Sequence, residues 1–221
     1  MQKIILISTN HTESGKCNSD ELYKIIETIR PEVIFEELPI SLFDIVYNGN
    51  LRTLPRDAPL ELKCIKKYLQ NYDTQNIPVD IETNANQSKD VTFLLRTIEE
   101  DEEHKEFENE YNSIKFREGF DFFNSDTYLD FYEKKKLIEK KILESSPNKN
   151  ALLVTYKLFQ QEIDNREDSM LKNIYTYSKE NEYNQAVFLL GCGHRKSMMK
   201  KIQEFDKKSE IKLNWRIFYG K

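Results

Sequence analysis

The chain has 221 residues, 38% of them apolar and 32% charged, with a formal net charge of −5. That length can bury one sizeable core and suits a single domain over residues 1–221, while 12 Tyr and 13 Phe exclude a disordered chain. The negative balance, with no basic stripe interleaved with aromatics, argues against nucleic acid and anionic membranes as partners.

Residues 3–7 form an apolar, β-branched run that reads as a buried strand. The run is too short for a signal-peptide core, and no stretch approaches the ~18 apolar residues of a spanning helix. Cys17, Cys64 and Cys192 stand at unrelated spacings, as free thiols in a reducing compartment do. A cytoplasmic location without a membrane span is expected.

The polar stretch Ser8 to Gly15 ends this strand and carries His11. Asn18 with Glu21 makes a capping box, and Leu22, Ile25, Ile26 and Ile29 share one face of the helix that follows. Arg30-Pro31 stops it. Val33-Ile34-Phe35 is a second strand closing on Glu36-Glu37, and a strand–helix–strand unit with short links sets its strands parallel. A helix over about residues 58–72 leads to a third strand at 77–81, which ends near Asp80 and Glu82.

From Ser88 to Tyr183 the pattern is helical throughout, with one Gly and one Pro. We read about 88–183 as a helical insert packed on the sheet. Ala186 to Leu190 is a fully apolar strand that breaks into Gly191-Cys192-Gly193-His194. A helix with Met198, Ile202 and Phe205 follows, then an edge strand alternating Leu213, Trp215, Ile217 and Tyr219. The expected fold class is α/β, with a mostly parallel (mixed) central sheet flanked by helices.

Among the three histidines, His11 and His194 each follow a buried strand and precede a helix. In a parallel sheet the C-terminal strand ends share one edge, where ligand sites open, so the two are predicted neighbours. Glu36, Glu37, Asp80 and Glu82 end on the same edge. Two imidazoles with carboxylates are the ligand set of a divalent transition metal. They are equally the set for general acid–base work on a bound water. The bland alternative is a pair of hydrogen-bonded structural histidines beside turns.

Only one of two adjacent strand residues faces a given side, so Glu37 is expected in solvent and Glu36 in the site. Arg166 falls on the apolar face of the long helical stretch, with Phe159, Ile163, Met170 and Ile174. A guanidinium there needs a carboxylate or an anionic ligand. The edge carboxylates could supply it, or Asp164 or Glu162 within the insert. Cys192 reads as a small buried thiol, and His104, set among acids, as part of a solvated helix face. Gly191-x-Gly193 lacks the third glycine of a dinucleotide loop, Lys196 standing in its place, so no organic cofactor is indicated.

Four segments together resemble the TraB/Tiki-like superfamily, distant relatives of the erythromycin-esterase and ChaN-like groups. They are Ser8-Thr9-Asn10-His11, Arg30 to Leu38 with its Glu36, Arg166-Glu167-Asp168-x-Met170, and Gly191-Cys192-Gly193-His194. They occur in the family's order, with Ser8 where the family has glycine. The resemblance implies a site of His11, Glu36, Arg166 and His194. In Tiki-like members such residues go with a divalent metal and peptide cleavage; in esterase-like members a histidine activates water. The expectation is a hydrolase acting on the ester or amide bond of a small-molecule or peptide substrate. His11, Glu36 and His194 would hold Mn, Co or Zn, and Arg166 would orient Glu36 or bind a substrate anion. Two alternatives stay open. One is a metal-free esterase-like enzyme with His11 or His194 as general base, the other a non-enzymatic module that binds a ligand or partner in the edge cleft.

Overall fold

The structure, a computed structural model, describes residues 1–48, 57–82 and 88–220. Five strands, β1 (Lys3–Thr9), β2 (Val33–Pro39), β3 (Gln75–Asp80), β4 (Gln185–Gly191) and β5 (Asn214–Ile217), form one sheet in the order β3-β2-β4-β1-β5. Every strand pairing is parallel. The α/β class with a parallel central sheet flanked by helices stands, and even the edge strand β5 runs with β1, because a helix carries the chain back before it.

Helix α1 (Ser19–Ile29) starts where the Asn18 side chain accepts from the amides of Asp20 and Glu21, and it ends at Arg30 with φ 55°. After β2 come the short α2 (Ile40–Phe43) and a π turn (Asp44–Asn48), neither signalled by hydrophobic spacing. Helix α3 (Leu60–Leu69) precedes β3. The insert is α4 (Lys89–Glu99), α5 (Glu102–Glu118), α6 (Phe120–Phe123), α7 (Asp126–Ser145) and α8 (Lys149–Glu180). A 3-10 turn (Cys192–His194) then leads into α9 (Arg195–Lys208). Among these helices none is long and apolar enough to cross a membrane.

Each sheet face buries its own core, as a sheet between two helical layers requires. Ile5, Ile7, Ile34, Val187 and Leu189 pack with residues of α1, α3 and α6. Ile4, Leu6, Val33, Phe35, Phe188 and Leu190 pack with α8 and α9. A third cluster of Leu94, Phe107, Ile142 and Leu152 holds the insert's helices together.

This topology positions the site. The chain leaves β1 toward β2 and β3, yet leaves β4 through α9 toward β5, on the far side of β1. Their ends, Thr9 and Gly191, are paired neighbours. Connections diverging from adjacent parallel strands leave a crevice at the C-terminal edge. Helix α6 closes its back: Asn124 accepts from the Ser8 amide at 2.8 Å and donates to the Ser8 carbonyl at 3.0 Å.

Candidate active site

Strand alternation splits the two adjacent glutamates between the faces. Val33 and Phe35 belong to the α8/α9 core and Ile34 to the α1/α3 core. Glu37 therefore points to α8 and Glu36 to the opposite side. The expected roles are corrected accordingly. Glu37 is not solvated; its side chain is 8% exposed and is the hub of a buried network. Arg166 lies 2.9 Å from Glu37 Oε1 and 2.6 Å from Asp80 Oδ2, so it orients Glu37 rather than Glu36 and does not pair within the insert. His194 Nε2 lies 3.3 Å from Glu37 Oε1, and its Nδ1 lies 2.8 Å from Glu167 Oε1. The Gly191 amide donates to Glu37 Oε2 at 2.7 Å.

These contacts set the charges. Burial opposes the ionised form of Glu37, yet the bond to His194, the imidazolium charge and the Gly191 amide hold its pKa well below the usual range. Burial likewise opposes a charged His194, but the flanking carboxylates Glu167 and Glu37 push its pKa up to about 9. With a carboxylate on each ring nitrogen, His194 is a buried cation rather than a base.

On the other face, His11 is largely open to solvent, and its Nδ1 lies 3.3 Å from Glu61 Oε1 at the start of α3. The Glu61 contact raises the His11 pKa; burial works against it and Glu37 adds to it. Glu36 is 3% exposed. Its carboxylate accepts from Tyr47 Oη at 2.7 Å and Asn76 Nδ2 at 2.8 Å. Burial pushes its pKa up to about 7, against the pull of those two donors. A cavity of about 150 Å³ is lined by Thr9, His11, Glu36, Glu37 and Glu61, with Gly191 at its edge.

Gly191 joins the two halves. A methyl group there would sit 3.1 Å from Glu37 Oε2, which would have to give by a few tenths of an ångström, and at an ordinary contact distance of 3.6 Å from His11 Nε2. His11 and His194 thus flank Glu37 instead of meeting. A second cavity of about 400 Å³, lined by Tyr111, Tyr128, Tyr132, Cys192 and His194, lies on the other side.

The expected metal set was His11, Glu36 and His194. Both His194 nitrogens face carboxylates and Glu36 lies on the opposite face, so the three do not converge on one point. Among the described residues no group of three or more His, Cys, Asp or Glu side chains is arranged to hold a metal ion. Glu82 is exposed and bonds Ser41, while Cys192 is a buried thiol beside the Tyr111 hydroxyl. His104 is buried rather than solvated.

Spacing could have revealed two of the missed residues. Glu61, Cys64, Ile65 and Tyr68 sit at i, i+3, i+4 and i+7 on the buried face of α3. Glu167, Met170, Leu171 and Ile174 repeat that pattern in α8. An acid on such a stripe must be paired, which marks it for a site. Tyr47 and Asn76 carried no comparable signal.

Fold and site together define an α/β protein with an acidic, histidine-bearing cleft at the carboxyl edge of a parallel sheet. No family model matches the chain, and no curated protein matches it. Among solved structures it is similar to a histidine-to-asparagine mutant of the erythromycin esterase EreC in its open conformation. The identity is 12% and the TM-score 0.43, over 98% of this chain and 69% of that one.

Glu36 gives a stability test of this site. Its pKa rises from 4.5 unfolded to about 7 folded. In that window the folded protein keeps a proton that the unfolded chain releases, so stability falls as pH climbs. The loss is on the order of 3 kcal/mol. Denaturant midpoints of Glu36→Gln should vary less than wild type across this range. Parallel profiles would count against a protonated Glu36.

Proposed function

We propose that the chain is a hydrolase of ester or amide bonds in which His11 activates water and Glu36 protonates the leaving group. The observation that carries this is one small cavity shared by His11, whose pKa the Glu61 contact raises, and Glu36, whose pKa burial pushes up to about 7. Water gives a proton to His11 Nε2 as its oxygen attacks the carbonyl carbon. The Glu61 carboxylate, 3.3 Å from Nδ1, stabilises by its charge the imidazolium that forms. As the carbon–oxygen or carbon–nitrogen bond breaks, Glu36 supplies the leaving group's proton. Water is consumed, and an acid with an alcohol or amine is released. Glu37, locked by Arg166 and His194, positions the Gly191 turn and keeps negative charge beside His11, favouring its protonation.

The test is a panel of small esters and short peptides, assayed with and without a strong chelator. Turnover that survives chelation and disappears in His11→Ala supports this reading. Turnover lost on chelation and restored by Mn²⁺, Co²⁺ or Zn²⁺ supports the metal-dependent TraB/Tiki-type chemistry instead. Silence across the panel favours the ligand- or partner-binding module.

A further inference from the structure

We infer that the cavity beside His11 is a subsite for a small organic ammonium group, held by Glu61 and Thr9 next to the reacting bond. The inference starts from unmet hydrogen bonding. Thr9 is 0% exposed and Glu61 is 7% exposed. Both line the cavity, and neither the Thr9 hydroxyl nor either Glu61 oxygen has a hydrogen-bond partner. Thr9 shares its strand face with Ile5 and Ile7, the face on which the cavity opens. Buried polar groups in folded proteins are almost always paired, so unpaired ones on residues that line a cavity point to a missing partner there.

Charge names the ligand. Three carboxylates line the cavity: Glu36, Glu37 and Glu61. Glu37 has its compensation in Arg166 and His194. Among the described residues Glu36 meets the neutral donors Tyr47 and Asn76. Among the described residues Glu61 meets the charge of His11, at 3.3 Å and without hydrogen-bond geometry. Glu36 is the protonated acid of the reaction, so it is the unpaired Glu61 carboxylate that calls for a cation with several donors, and a primary ammonium offers three N–H groups. A bare divalent ion fits less well, because the described acids and histidines are not arranged as a ligand set. Leu38, Leu62, Pro59 and Leu189 complete the wall and suit a short alkyl stem. A volume of about 150 Å³ takes an ammonium with only a few carbons.

As a substrate subsite this rests on the hydrolytic reading; as a binding site it does not. The probes are n-propylammonium, its neutral counterpart 1-propanol, and tetramethylammonium, which is charged but has no N–H. Binding to the full chain is followed by calorimetry and by the His11 ring signals in NMR. Propylammonium is expected to bind at least tenfold tighter than either other probe and to shift the His11 ring. Glu61→Gln and, independently, Thr9→Val should each weaken it severalfold. Equal affinity for all three probes, no binding of propylammonium by the wild-type chain, or affinity unchanged in both variants overturns the inference. Binding without hydrolysis of any amine-bearing ester removes the hydrolase reading and keeps the site. Hydrolysis of neutral esters by a chain that ignores propylammonium does the reverse.

Discussion

Glu37→Ala is expected to cost about 3 kcal/mol of unfolding free energy, because it removes the shared partner of the buried His194 and the partly buried Arg166. Among the described residues Arg166 would keep Asp80 and His194 would keep Glu167, and the Gly191 amide would lose its acceptor. Arg166 and His194 are 18% and 11% exposed, so solvent cannot replace the carboxylate. Chemical denaturation at neutral pH measures the loss. A change below about 1 kcal/mol, the size typical of an exposed ion pair, contradicts the hub role. Glu36→Ala breaks bonds only to Tyr47 and Asn76 and should cost less, even though Glu36 is the more buried residue by position.

His11→Ala is the opposite case. Its side chain is 58% exposed, so stability should stay within about 0.5 kcal/mol of wild type. If His11 is the base, turnover on any hydrolysed substrate should fall by about 10²–10⁴-fold, the usual contribution of a positioned general base. Initial rates on purified, folded variant decide it. A variant that keeps more than a tenth of wild-type activity removes His11 from the chemistry. Because Glu61 holds the His11 pKa up, the remaining activity of Glu61→Gln should peak at lower pH than that of wild type.

Much of the fold was legible in the residues. Short apolar runs and, for β5, alternation marked the five strands, and period-3.6 spacing marked α1, α3, α8 and α9. Parallel strand ends correctly brought the segments of His11 and His194 to one edge, through the Thr9–Gly191 pairing. The stripe of Phe159, Ile163 and Met170 marked Arg166 as inward-facing, and it is. Local pattern did not say which of Glu36 and Glu37 would face α8. Alternation forces them apart, but the choice depends on which face α8 covers, a tertiary fact. The same limit hid the split between the histidines. A shared edge does not mean a shared side, and His11 follows β1 onto the α3 face while the turn at His194 leads into α9. The strand order, with β4 inserted between β1 and β2, has no local signature.

The joining of the two faces through Glu37 is tested most directly by titrating His194 by NMR in wild type and in Glu37→Gln. Pinned between Glu167 and Glu37, the wild-type ring should titrate near 9, against 6.5 for a free imidazole, and fall clearly in the variant. A wild-type His194 titrating at or below 6.5, or one indifferent to Glu37, would mean that the buried network does not exist in solution.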